Sequence, residues 1–354
     1  MSVRFIILVT VCVWVLTSAQ SEKGSTGLFE SDDILSIRLS GNMTRLFNDR
    51  SDNADYHSIT LLYTDADGQE KVVPLKSKTR GNFRRKLGGC SFPPLWLNFQ
   101  ENKSEVKNSV FRGQNKIKLV TPCRGDQYVV YEYLVYKLYN LLTPYSFKAR
   151  LVKVSYYDSL KNKNLGEYYG MLLESEEEMA TRNHRKISEG KLVRPEATNR
   201  QVFLTMAVFE YMIGNTDWSV QYQQNVKLLT LDSVSRQMIT VPYDFDQSGI
   251  VGAPYAAPAP ELQMSSVRER RYRGFCIKNM TEFDTTFSMF NSLKEKFYEV
   301  YTNTTYVENN YVKSTTKFLD KFFETLYNPK KAERDFMYPC RKQGTGNVVI
   351  KGLK

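Results

Sequence analysis

Two neighbouring stretches decide how this chain is read: "IGNTDWSVQYQQNVKLL" (213–229) and "VPYDFDQSG" (241–249). The first ends a helical pattern at Gly214-Asn215, sets Asp217 in the following loop and places Asn225 at the start of an apolar run. The second brackets Phe245 with Asp244 and Asp246, directly after a strand pattern. Two carboxylates two residues apart on an extended segment face the same side and can share a cation. Burial beside "ITVPY" and Phe245 without a metal or a basic partner would be costly. The segment "DFDQSG" opens like a calcium loop, but its twelfth position is Tyr255 and not Glu, which excludes an EF-hand.

Working outward, the pattern upstream is mainly β. Strands are predicted at "ILSIRL" (34–39), on both sides of the Asp67-Gly68 turn, at "PLWLNF" (94–99), "KIKLV" (116–120), "ARLVKVSYY" (149–157) and "EYYGMLLE" (167–174). Among them "DQYVVYEYLVYKLYNLL" (126–142) is apolar on nearly every face and reads as a deeply buried helix. Its Glu132 calls for a cation, and Lys118 in the preceding strand is the expected partner. Residues 175–195 form a charged junction. Beyond it, Val202, Met206, Phe209 and Ile213 follow helical spacing, a hairpin spans "NVKLLTL" and "RQMITVPY", and two helical stretches cover about 281–301 and 308–327.

The chain opens with "MSVRFIILVTVCVWVLTSAQ": one positive charge, an apolar run of twelve, then Thr17 and Ala19 at small-residue positions. That is the pattern of a signal peptide, residues 1–19, too short to span a membrane. A secreted, periplasmic or cell-surface protein without a later transmembrane segment is expected. Residues 20–33 read as a flexible lead-in, 34–175 as a β-rich part and 176–354 as an α-rich part. Cys90, Cys123, Cys276 and Cys340 remain after cleavage, an even number suited to disulfides; of the three pairings, the neighbour pairing 90–123 and 276–340 is expected. If the host glycosylates exported chains, Asn42, Asn102, Asn279 and Asn303 are acceptor sites.

With only two histidines and no CxxC, zinc and histidine-triad chemistry are disfavoured. The net charge of +11 favours anionic partners. No basic run with interleaved aromatics resembles a nucleic-acid motif, so a nucleic-acid partner is not expected. The basic cluster "LKSKTRGNFRRK" (75–86) reads mostly as a solvated turn; Lys78 or Arg80 could meet phosphate beside Gly81.

"KTRGN" (78–82), "IGNTDW…N" (213–225) and "YDFD" (243–246) together resemble the spore-coat protein H (CotH) kinase family and, more loosely, the HipA-type atypical kinases. The resemblance covers about residues 75–250. It implies an α+β, two-lobed atypical protein-kinase-like fold, and transfer of the γ-phosphoryl of ATP, with Mg²⁺ or Mn²⁺, to Ser or Thr of a protein substrate. Asp217 then stands as the catalytic Asp, Asn225 and Asp244 as metal ligands and Asp246 as an accessory. Element order alone assigns Lys118 and Glu132 to the phosphate-holding pair of kinases. The chain departs from the pattern: Asn225 lies eight residues after Asp217 where the kinase loop has five, and Phe83 stands where the CotH pattern has Ser. Two other functions are compatible with the residues: a non-catalytic scaffold that binds a surface polymer or coat protein, and a metal-assisted phosphoesterase using Asp244 and Asp246.

Overall fold

The computed structural model describes residues 27–86, 90–99, 103–231 and 237–341. The expected signal peptide and most of the lead-in lie outside them, as do Asn102 and the tail after residue 341.

Seven strands close into a barrel: β1 (Leu35–Gly41), β2 (His57–Thr64), β3 (Glu70–Thr79), β4 (Leu95–Phe99), β5 (Lys116–Val120), β6 (Ala149–Asp158) and β7 (Lys163–Leu173), in the order β1-β2-β3-β4-β5-β7-β6. All neighbours are antiparallel except the closing pair, where β1 runs parallel to β6 from Leu35↔Val152 to Gly41↔Asp158. Alternation explains the closure. Ile37, Leu39, Leu61, Val73, Leu97, Leu119, Val152 and Val154 point inward and form one apolar core. Gly68, with φ 76°, makes the predicted turn between β2 and β3.

This closed barrel overturns the expected two-lobed kinase-like fold with its separate β-sheet lobe. The strands were legible, but β1 has an unfilled edge in an open sheet, and β6 offers a matching row of inward residues, so the sheet closes on itself and leaves no edge.

Short helices α1 (Met43–Asn48), α2 (Phe83–Lys86) and α3 (Ser104–Lys107) sit in the barrel's connections. Helix α4 (Gln127–Leu142) is buried along almost its whole length, as its composition requires. It packs on β6 and β7 on one side and, on the other, on α6 (Arg200–Ile213) and α8 (Lys294–Thr302). A second core thus joins the outer surface of the barrel to the C-terminal helices. Those include α5 (Glu176–Arg182), α7 (Asp284–Ser292), α9 (Asn309–Tyr327) and α10 (Pro329–Phe336). The expected hairpin is β9 (Val226–Thr230) with β10 (Ile239–Pro242), joined by an unexpected two-residue strand β8 (Lys186–Ile187); its turn lies outside the described residues.

The cysteines pair as neighbours: Cys90 with Cys123 and Cys276 with Cys340, with Cα–Cα separations of 4.6 and 4.7 Å. Two such pairs are compatible with an extracellular protein. Among the described residues no helix is long and apolar enough to cross a membrane.

Candidate functional site

Helix α6 delivers the first component. Asn199 caps its start, its side chain accepting from the Val202 N–H at 3.1 Å, and Gly214 ends it in the left-handed region at φ 69°. The chain then turns back. Asn215 Oδ1 accepts the Asp217 N–H at 3.0 Å, and Arg273 donates to the carbonyls of Thr216 and Trp218, on either side of Asp217. Trp218 is buried and packs edge-on against Phe203 at 6.3 Å, a structural role. Asn225, left-handed at φ 51°, donates its amide to the Asp217 carbonyl at 2.7 Å and to the Asp217 carboxylate at 3.1 Å. Desolvation, together with the negative charges of Asp246 and Asp244, pushes the Asp217 carboxyl up to about 6 against the opposing pull of Arg273 and Asn225.

Strand β10 delivers the second component. The Tyr243 N–H bonds the Asn225 carbonyl at 3.0 Å, which sets the start of the acidic segment beside the Asp217 loop. Asp244 is left-handed (φ 63°), a conformation that Asp tolerates better than most residues, and residues Phe245–Gln247 form a 3₁₀ turn. The expected extended segment is therefore replaced by a tight corner. The Asp244 N–H is satisfied by the Tyr136 hydroxyl of α4 at 2.9 Å, and Phe245 is buried against Tyr136 and Phe209.

The barrel and α2 deliver the cations. Lys118, on the outer face of β5 and only 5% exposed, reaches Asp244 Oδ1 at 3.3 Å. Arg84 is buried among three carboxylates: its Nε lies 3.2 Å from Asp246 Oδ2, and its Nη2 lies 3.5 Å from Glu132 Oε2 and 3.6 Å from Asp244 Oδ1. Sequence reasoning missed Arg84, reading its neighbourhood as a solvated turn. The available signal was Gly81: its positive φ of 81° lets the chain reverse into α2, which turns Arg84 and Arg85 inward. It also paired Glu132 with Lys118, whereas Glu132 meets Arg84 and Lys118 meets Asp244.

The charges sort by environment. Desolvation raises every carboxyl here, but Lys118, Arg84 and Arg80 together outweigh it at Asp244, whose carboxyl is held down at about 2. Glu132 is fully inside; desolvation outweighs Arg84, and its carboxyl is pushed up to about 8, so that it is mainly protonated at neutral pH. Asp246 is also raised, by desolvation and by Asp244, while the Tyr255 hydroxyl donates to its Oδ2 at 3.1 Å.

Arg80, Gly81, Arg84, Lys118, Asp217, Asn225, Asp244 and Asp246 line one cleft of about 240 Å³. Asp244 keeps 33% of its side-chain surface exposed. Glu132 does not line the cleft but sits behind Arg84. Lys78 is not brought in; its ammonium lies over the Tyr56 ring at 4.8 Å. Arg80 does line the cleft, its guanidinium 4.4 Å above the Trp96 ring and its Nε without a hydrogen-bond partner.

Among the described residues no group of three or more His, Cys, Asp or Glu side chains is arranged to hold a metal ion. Apart from Asp217, whose carboxylate is held by the Asn225 amide, the cleft's oxygen donors include the Asp244 and Asp246 carboxylates and the Asn225 amide oxygen. Asp244 and Asp246 each have one oxygen engaged by the cations or Tyr255 and one outside those contacts. This suits a hard ion such as Mg²⁺, which is held through one or two carboxylates and the phosphates of its ligand, and it does not suit zinc. No protein-family model matches the chain, and no characterised protein matches its sequence.

Proposed function

We propose that this chain is an exported phosphotransferase that moves the γ-phosphoryl of ATP to a Ser or Thr hydroxyl of a protein, with Mg²⁺ or Mn²⁺, at the cleft between the barrel and the C-terminal helices. The supporting observation is one of geometry. Three cations suited to phosphate (Arg80, Arg84, Lys118), two carboxylates and an amide suited to a hard metal (Asp244, Asp246, Asn225), and one separately held carboxylate (Asp217) line the same cleft. The motif resemblance to the CotH kinases points to the same chemistry, though not through the fold that it implied.

Without ligand, the cations neutralise the carboxylates directly. A metal-bound triphosphate brings its own charges of both signs, so Lys118 and Arg84 can turn from Asp244 and Asp246 to phosphate oxygens without leaving a buried charge unpaired. Asp244, Asp246 and Asn225 would hold the metal, which neutralises charge on the phosphates and fixes their geometry. Asp217 stands on its own loop, oriented by the Asn225 amide and by Arg273 through the flanking carbonyls. It would accept a hydrogen bond from the acceptor hydroxyl and take its proton as the oxygen bonds the γ-phosphorus and the bond from that phosphorus to the β–γ bridging oxygen breaks, releasing ADP.

The test is transfer of labelled γ-phosphoryl with Mn²⁺ by the parent and by Asp217→Ala. Transfer by the parent and none by the variant, with nucleotide binding retained in both, supports the reading. Equal transfer by both overturns it. The internal neutralisation of Lys118 and Arg84 by Asp244 and Asp246 favours one alternative, a non-catalytic scaffold for a surface polymer or coat protein. A melting temperature unmoved by Mg-ATP or Mn-ATP would select it. Free phosphate released with no labelled protein would select the phosphoesterase.

A further inference from the structure

The outer face of the barrel beside the cleft carries charge for which the cleft has no use. Register places Lys78, Trp96 and Lys118 side by side across β3, β4 and β5, and Lys76, Asn98 and Lys116 side by side in the next row. The intervening residues, Leu75, Ser77, Leu97 and Ile117, are buried inside, so all six positions share the outer face. Lys118 lies at the inner end of this surface, in the cleft. The second row lies one pleat repeat further out, about 7 Å away, and Lys76 and Lys116 are two strand spacings apart, about 10 Å. None of the six positions carries a carboxylate, and among the described residues Lys76, Lys78 and Lys116 make no ion pair. Lys76 continues into a groove of about 500 Å³ with Ser40, Ser58, Thr60 and Lys103.

We propose that this face is a docking track for an acidic peptide, the segment of the protein acceptor that flanks its hydroxyl. The inference rests on the phosphotransfer reading for the cleft, and it names the acceptor's chemistry. Three features favour a peptide. Unpaired lysines in rows about 7 Å apart match alternate side chains of an extended chain, so acidic residues two and four positions from the hydroxyl fall on successive rows. The barrel is closed, so recognition runs through side chains and not through addition of a strand. The aromatic rings are already covered: Arg80 and Lys116 each lie 4.4 Å from the Trp96 ring centre, and Lys78 lies over Tyr56. That leaves little open ring surface on which nucleic-acid bases could stack.

The test is binding, read by fluorescence anisotropy of a labelled twelve-residue peptide. It has one central serine and Asp at two and four positions from it. A control peptide carries Asn at those positions. The full chain and a Lys76→Glu/Lys116→Glu double variant are compared, with circular dichroism and melting confirming that each is folded. The expected result is that the acidic peptide binds the parent at least about tenfold more tightly than the control, and that the double variant loses about tenfold. Binding should weaken as salt is raised. Such binding without phosphoryl transfer would leave the track standing and remove the phosphotransfer reading. Equal affinity for the two peptides, or no loss in the double variant, overturns the track even if transfer occurs. So does tighter binding of a single-stranded oligonucleotide or a sulfated polysaccharide than of the acidic peptide at equal charge.

Discussion

Arg84 Nε lies 3.2 Å from Asp246 Oδ2, and the same guanidinium reaches toward Asp244 and Glu132, so a single side chain from a four-residue helix joins α4 to the acidic corner after β10. Taken away, it leaves Asp246 and Asp244 with less cation than carboxylate in a buried place. Arg84→Met is expected to destabilise the chain by about 3–5 kcal/mol, the usual range for breaking a buried ion pair on one side. Urea unfolding measures it. Glu132→Gln keeps an acceptor for Arg84 and replaces a carboxyl already mainly protonated at pH 7, so it should cost under about 1 kcal/mol. A loss as large as that of Arg84→Met would show Glu132 to be ionised.

The Asp217 carboxyl supplies a pH signature. Its folded-state value of about 6 is above the ordinary 3.8, so the folded chain binds the proton more tightly than the unfolded chain does. Stability from this group is full below about pH 4 and is lost as pH rises through about 6, an effect of up to about 3 kcal/mol at roughly 1.4 kcal/mol per pH unit. Asp217→Asn cannot ionise. It should therefore be more stable than the parent at pH 7.5, with the difference vanishing near pH 4, while transferring no phosphate. Melting curves across pH 4–8 decide the first point. A variant equally destabilised at every pH would contradict it.

Lys118→Met removes the cation at the inner end of the barrel face. Asp244 retains Arg84 and Arg80, so its carboxyl should rise without becoming neutral at pH 7. Under the proposed function the melting shift produced by Mn-ATP should shrink to a small fraction of the parent's. Lys78→Met, whose ammonium lies over Tyr56 and outside the cleft, should leave that shift intact.

The two disulfides close loops of 33 and 64 residues. In the chain-entropy account each contributes about 4 kcal/mol by restricting the unfolded chain. Replacing Cys90 and Cys123 together by Ser should lower stability by an amount of that order, and so should replacing Cys276 and Cys340. Reduction of the parent should approach the loss of both pairs. Differential scanning calorimetry of oxidised and reduced protein is the check.

Much of the local structure was legible. Alternation marked six of the seven barrel strands close to their observed bounds, with β7 beginning earlier than its pattern suggested. All-round apolarity marked α4 as buried, and Gly214 marked the end of α6. The short helices α1, α2 and α3 were not legible, because four to six residues are too few to show a period. Of the site, Asp217, Asp244 and Asp246 stood out because each follows a recognisable helix end or strand, and Asn225 because it opens one. Arg84 did not: one arginine in a run of basic residues looks solvated until the partner carboxylates are known, and those lie far along the chain.

From the sequence alone came the order of the longer strands and helices, the deep burial of one helix, the neighbour pairing of the cysteines as an expectation, and a short set of oxygen donors near residues 217–246. Alternation and helical spacing record which side of an element is buried, and that information is local. Tertiary structure decided what local patterns do not carry. It joined β1 to β6 and so closed the β-rich part into a barrel where a kinase-like lobe was expected, and it gave Lys118 to Asp244, 126 residues away, and Glu132 to Arg84. Those choices depend on which charges are desolvated together, and that is settled only when distant segments pack.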